Sequence, residues 1–173
     1  FADSGRVPPI QQVALFELDL WFKFAFAQQM PKLTAQFRDK GLTWIELAEF
    51  PVAIYLGPGH RLYHEEKLED YFIDTARRSL ASNAVINSVI AVRPDRILAV
   101  EDPNLRKRLL EAGFGYTIKP VLHREQDGVR RIPFGDYKIK LLAIYNPARP
   151  MRPETARYLE LVQEELASGG YVT

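Results

Sequence analysis

A chain of 173 residues with 47% hydrophobic content is long enough for one large domain or two small lobes around a proper core. Lys plus Arg (23) nearly balance Asp plus Glu (22), so the positive excess of a nucleic-acid-binding surface is missing. The lack of cysteine excludes disulfides and thiolate chemistry, and no apolar run approaches the roughly 20 residues that span a bilayer.

The chain starts at Phe1 with neither an initiator methionine nor a signal-like segment, and is read as a piece of something longer. Residues 1 to 10, with two prolines and little periodicity, read as a loop or a severed connection. Val13 to Phe26 is rich in aromatic and β-branched residues and predicts a strand buried on at least one face. Gln28-Gln29-Met30-Pro31 reads as a loop, followed by two strand-like runs, LTWIEL and Phe50 to Leu56, the second ended by Gly57-Pro58-Gly59. The front of LEDYFIDTARRSLA has the character of a short helix and its back that of an irregular segment. Ala84 to Val92 and Arg96 to Val100 read as strands separated by the turn Arg93-Pro94-Asp95.

The next stretch is the most legible. Asp102 is a good N-cap, Pro103 suits the first helical position, and Leu105, Leu109 and Ala112 fall on one face. Gly113 is placed to end that helix in a left-handed conformation, Gly115 allows a second close turn, and a strand runs to Pro120. Asp127-Gly128 marks a turn, and Ile139 to Asn146 is the clearest buried strand. Pro153 starts a last helix with Tyr158, Leu161, Val162 and Leu166 on its face, ended by Gly169-Gly170. Strands alternating with helices imply an α/β sheet with mixed strand directions.

Few residues suggest reactive chemistry. His60 and His64 are four apart, but follow a Gly-Pro-Gly turn with no third ligand nearer than His123, so a solvated loop outweighs a zinc site. Gly113-Phe114-Gly115 sits at a helix's negative end and lacks a third glycine, which argues against phosphate. No serine lies on a tight glycine turn, and adjacent Glu101 and Asp102 point opposite ways on an extended chain. Arg77-Arg78-Ser79 with Ser82-Asn83 concentrates hydrogen-bond donors suited to a small anion; the bland reading is a solvated basic loop.

RILAVEDPNLRKRLLEAGFGYTIKP resembles the signature of the effector-binding domain of LysR-type transcriptional regulators. Leu109 to Gly115 stands where that family has Val/Leu-x-Ala-Gly-x-Gly, followed by Ile118-Lys119-Pro120. Phe16-Glu17-Leu18-Asp19-Leu20 resembles the family's Gly-Glu-Leu-Asp-Leu, with Phe16 in place of the usual glycine. Leu56 to Leu62 resembles its Pro-x-x-His-Pro-Leu loop, with Arg61 replacing proline, and Leu68 to Tyr71 its Leu-x-Asp-Leu. The resemblance covers roughly residues 11 to 168 in order; the winged helix-turn-helix and most of the first strand-helix-strand are not in the chain.

The resemblance implies an α/β, two-lobed type-2 periplasmic-binding-protein fold with mixed sheets, its first lobe truncated at the N-terminus. Residues 1–56 and 139–173 would form the first lobe with the crossover strands, and 57–138 the inserted second lobe. It further implies a cytoplasmic, non-enzymatic ligand sensor without cofactor or metal, a homodimer or homotetramer that reaches DNA only through an absent domain and has no membrane partner. A small, anionic effector would lie between the lobes, held by Arg77, Arg78, Ser79, Ser82, Asn83, Glu101, Gly113, Phe114, Gly115 and Tyr116. The alternative is a solute-binding protein of a transport system with the same fold. With balanced charge and no recognition helix, this chain alone is expected to show no sequence preference for duplex DNA. Fluorescence anisotropy at about 0.15 M salt checks this, and tight, sequence-dependent binding would overturn it.

Overall fold

The computed structural model describes residues 7–58, 60, 71–74, 97–100, 102–122 and 129–168. Its elements in chain order are α1 (Pro9–Ala14), β1 (Trp21–Phe26), a 3-10 turn (Ala27–Gln29), α2 (Met30–Asp39) and β2 (Thr43–Leu56). There follow β3 (Tyr71–Asp74), β4 (Ile97–Ala99), α3 (Pro103–Glu111), β5 (Gly115–Pro120), β6 (Arg130–Tyr145) and α4 (Pro153–Ala167). The strand order is β1-β6-β2-β5-β3-β4. The chain divides into two compact units, one of residues 1–49 with 139–171, the other of residues 50–138. The long strands β2 and β6 each contribute to both.

In the first unit, β1 runs antiparallel to the end of β6, with Trp21 opposite Ile144 and Phe26 opposite Ile139. Behind this ladder Val13, Ala25, Met30, Phe37, Leu42, Leu142 and Ile144 form a buried cluster. Met30, Leu33 and Phe37 follow i, i+3, i+7, the spacing that lays one helical stripe on a core. Phe37 and Leu142 are wholly buried, and Trp44 packs against Phe37 at 5.7 Å between ring centroids.

In the second unit, β5 pairs antiparallel with the end of β2, Val52 opposite Pro120 and Leu56 opposite Tyr116. It pairs parallel with β3, and β3 parallel with β4, bringing Tyr71 beside Gly115 and Asp74 beside Ala99. Val52 to Leu56 are all buried, which is why this run reads as continuously apolar instead of alternating. Leu110 of α3 packs on Ala53 and Tyr55, flanked by Val121 and Val129.

Three helices end the same way. At α1, Phe16 N–H donates to Val13 O (3.2 Å) and Glu17 N–H to Gln12 O (2.8 Å). At α2, Gly41 N–H donates to Arg38 O (2.9 Å) and Leu42 N–H to Phe37 O (2.8 Å). At α3, Gly113 N–H donates to Leu110 O and Phe114 N–H to Leu109 O, both 3.0 Å. This is the Schellman arrangement, and the pivotal residue is left-handed each time: Phe16 at φ 60°, Gly41 at 66° and Gly113 at 73°.

Several sequence expectations are corrected. The strand foreseen over Val13 to Phe26 is the end of α1, a turn, and only then β1. Pro9 opens a helix too short for periodicity to reveal, and Phe16 takes a backbone conformation that sequence does not credit to phenylalanine. The loop foreseen at Gln28 to Pro31 is a 3-10 turn leading into α2, because proline is tolerated in a helix's first turn. The two runs around Glu49 are one strand, and Tyr71–Asp74 is a strand where a short helix was expected.

The helix foreseen after Asp102 is present, with Asp102 Oδ1 accepting from Asn104 N–H (2.8 Å) and Leu105 N–H (3.3 Å). Its buried residue is Leu110, however, and Leu105 is 44% exposed. Likewise Leu159 is the buried residue of α4, while Tyr158 and Leu161 face solvent. Leu109 of the α3 face foreseen, and Val162 and Leu166 of the α4 face, are half-buried, so each face is kept in part. The strand expected at Ala84 to Val92, the Asp127-Gly128 turn and the Gly169-Gly170 stop lie outside the described residues.

Forcing a Cβ into a left-handed turn costs about 1–2 kcal/mol, so Gly113→Ala is expected to lower stability by about that amount. Urea unfolding should show the midpoint falling with an unchanged slope.

Candidate functional site

In the second unit, the effector-site residues singled out in the sequence that the structure describes are those of the turn from Gly113 to Tyr116. The Gly113 to Tyr116 turn leads into β5 and lies at the amino ends of the three parallel strands. Phe114 is 49% exposed there, whereas Gly115 is buried and Tyr116 is 1% exposed, a core side chain. Val100, which follows β4, lies at the opposite, carboxyl ends. Asp74 and Ala99 are register partners, so the chain leaves the sheet at one end after both β3 and β4. Arg77, Arg78, Ser79, Ser82, Asn83 and Glu101 lie outside the described residues, a few positions beyond those two exits.

The electrostatics near α3 add residues that the sequence reading passed over. Arg106 Nη1 donates to Val100 O at 3.1 Å, which carries its guanidinium to the carboxyl end of β4. Lys119 stands 4.4 Å over the Tyr55 ring, and burial, reinforced by the charge of Arg106, lowers its ammonium pKa. Burial likewise raises the Tyr55 hydroxyl, which donates to Pro120 O at 3.3 Å. The signal for such a cluster was faint, because residues 55, 106 and 119 are brought together only by the β2–β5 pairing and the α3 packing.

Gly57 shows how close that packing is. A Cβ placed on it would lie 1.8 Å from the carbonyl oxygen of Leu110. Here glycine is needed for space and not for its backbone angle. His60 is buried, its backbone N–H donating to Gly57 O at 3.0 Å, while His64 and His123 lie outside the described residues. Among the described residues no group of three metal-ligating side chains occurs, and no helix is long and apolar enough to cross a membrane.

The first unit has a cavity of about 370 Å³ between the turn after α1 and the loop from Asn146 to Arg152. Asn146 shapes that loop, donating from Nδ2 to Ala14 O (3.1 Å) and accepting from Ala148 N–H (3.0 Å). Asp19 accepts from Arg152 Nε and from Thr155 Oγ1, the latter at 3.1 Å. The Arg149 guanidinium stacks over Phe16 at 4.0 Å from the ring centroid.

The Arg152 hydrogen bond holds the Asp19 carboxyl below its usual range against the opposing effect of burial, with Thr155 adding to the lowering. A depressed folded-state pKa stabilises fully above the unfolded value of about 3.9 and is lost as pH falls through the folded value. Asp19→Asn is therefore expected to weaken the acid dependence of stability below about pH 4 while leaving its slope near neutrality unchanged. Denaturant midpoints of both proteins between about pH 2 and 7 check this.

The family model described as the LysR substrate binding domain matches residues 24–167. No curated protein matches the chain. Among solved structures, the chain is similar to HinK, a LysR family transcriptional regulator from Pseudomonas aeruginosa, with TM-score 0.59 and 14% identity over 91% of this chain and 55% of that one. It is similar to the regulatory domain of OxyR2 from Vibrio vulnificus, with TM-score 0.58 and 13% identity over 91% and 76% of the two chains. It is also similar to full-length CbnR in complex with target DNA, with TM-score 0.56 and 15% identity over 90% and 55%. At these identities the likeness is one of fold, and the chain spans about half the length of HinK and CbnR.

Proposed function

This chain belongs to the family of LysR substrate-binding domains, and from that membership we propose that it is the effector-sensing part of a regulator that acts on DNA through a separate domain. Its fold is the α/β fold of that family, the type-2 periplasmic-binding-protein class. The observation that carries the reading is the family match over residues 24–167, which runs through both compact units. Sensing needs binding without chemistry. An effector that prefers one conformation shifts the population towards it, and the shift is limited by its differential affinity. Assembly as a homodimer or homotetramer in the cytoplasm, and contact with DNA like that in the CbnR complex, are part of the same proposal.

The effector of this proposal is a small carboxylate held by Arg77, Arg78, Ser79, Ser82, Asn83 and Glu101. The β3–β4 register supports grouping them: Asp74 and Ala99 are partners, Arg77 follows Asp74 by three residues, and Glu101 follows Ala99 by two. Ligands of α/β sheets gather at strand carboxyl ends, which is where both exits lie. The anionic character is supported by Arg77 and Arg78, and by Arg106 and Lys119, whose like charges act on one another. The turn from Gly113 to Tyr116 enters the proposal as the element that fixes α3, and so Arg106, beside Val100.

Calorimetric titration of the chain with a panel of small mono- and dicarboxylates tests this. One member is expected to bind, with Arg78→Ala and Ser82→Ala each weakening it about ten- to a hundredfold, as removal of a charged hydrogen bond does. Unchanged affinity in both variants would place the site elsewhere.

A further inference from the structure

We propose that the cavity of the first unit is a second binding site, and that its ligand is a free α-amino acid with an apolar side chain. Its size, about 370 Å³, falls in the range of small-molecule sites. Four charged residues line it: Glu17, Asp19, Arg149 and Arg152. Asp19 and Arg152 answer one another, and Thr155 gives Asp19 a further bond. Among the described residues, Glu17 and Arg149 have no ion-pair or side-chain hydrogen-bond partner. The cavity therefore presents one uncommitted carboxylate and one uncommitted guanidinium.

Arg149 is nevertheless held in place. The central carbon of its guanidinium lies over the Phe16 ring, 4.0 Å from the ring centroid, a cation–π contact that restrains the side chain. A guanidinium fork suits the two oxygens of a carboxylate. Phe16 itself is the unexpected residue. It occupies the left-handed position that glycine fills at the ends of α2 and α3, a conformation that disfavours a bulky side chain. The local turn would form more easily with glycine, but glycine would have no ring to hold Arg149 or to line the cavity. Leu18 and Met151 add apolar wall.

An amino acid answers every uncommitted group at once: its carboxylate meets Arg149, its ammonium meets Glu17, and its side chain covers the apolar wall. A simple carboxylate would bring a second negative charge beside Glu17, and a simple amine would leave Arg149 without a partner.

The test is ligand-observed NMR and calorimetry on the chain with L-leucine, L-methionine and L-phenylalanine, beside 3-phenylpropanoate and phenethylamine. At least one amino acid is expected to saturate the chain, and both truncated analogues to bind at least about tenfold more weakly. Glu17→Gln and Arg149→Gln are each expected to weaken the amino acid about ten- to a hundredfold. Phe16→Gly is expected to weaken it similarly while still unfolding cooperatively, and Arg78→Ala to leave it unchanged. Absence of saturation by all three amino acids up to about 10 mM would overturn the proposal. So would affinity that survives both Glu17→Gln and Arg149→Gln, or affinity lost in Arg78→Ala, which would assign the ligand to the effector site of the other unit.

Discussion

A helix that ends inside a small α/β protein must still satisfy its last carbonyl groups, and in this chain that need governs how the chain continues after α1, α2 and α3. At α1, α2 and α3 one residue swings into the left-handed region, and two backbone N–H groups fold back onto the final turn. The reversal is immediate. Gly41 leads through Leu42 into β2, and Gly113 leads through Phe114 into β5. Phe16 turns the chain towards Asp19, which is bound by Arg152 and Thr155 before β1 begins. Leu42, the residue after the pivot of α2, is itself buried in the core of the first unit. Satisfying a helix end and delivering an apolar side chain are here one event.

The two long strands are apolar where they are covered and polar where they are not. Ile139, Leu142, Ala143 and Ile144 of β6 are buried, whereas Lys140 between them reaches Glu46 at 2.6 Å and Glu49 at 3.9 Å. Those carboxylates raise the Lys140 pKa, the Glu46 hydrogen bond most of all. Pairs so open to water add little stability. A one-residue slip of β6 would carry Lys140, Leu142 and Ile144, which share one face, to the other side of the sheet together, and so take Leu142 and Ile144 out of the first unit's core. Lys23, on β1, meets the opposite condition, with burial lowering its pKa and the Trp21 ring 5.2 Å away.

What was legible in the sequence was the chemistry of element ends and of continuous apolar runs. Asp102, Pro103 and Gly113 specify α3 from within three short positions, because each has one dominant backbone preference. The buried ends of β2 and β6 were equally plain. The misreadings concern short or ambiguous signals: six residues of α1 cannot display a period, and proline beside methionine reads as a break although it opens α2. The buried residues of α3 and α4 show that period alone cannot choose between adjacent apolar positions. Leu109 and Leu110, or Tyr158 and Leu159, differ only in what the sheet brings against them. Sites are harder for the same reason. Residues 16 and 149, or 106 and 119, have no neighbourly relation in sequence, and the fold creates it.

The contact between Gly57 and Leu110 has one more implication. Most packing between a strand and a helix runs through side chains, whose rotamers act as compliant spacers and take up small displacements. Here the main chain of one element rests on the main chain of the other, with no room even for a methyl group. The join has no spring in it. A shift of the last turn of α3, from the side of Arg106 and Val100 or from the glycine pivot behind it, must move the strand exit at Gly57 by a similar amount or be refused altogether.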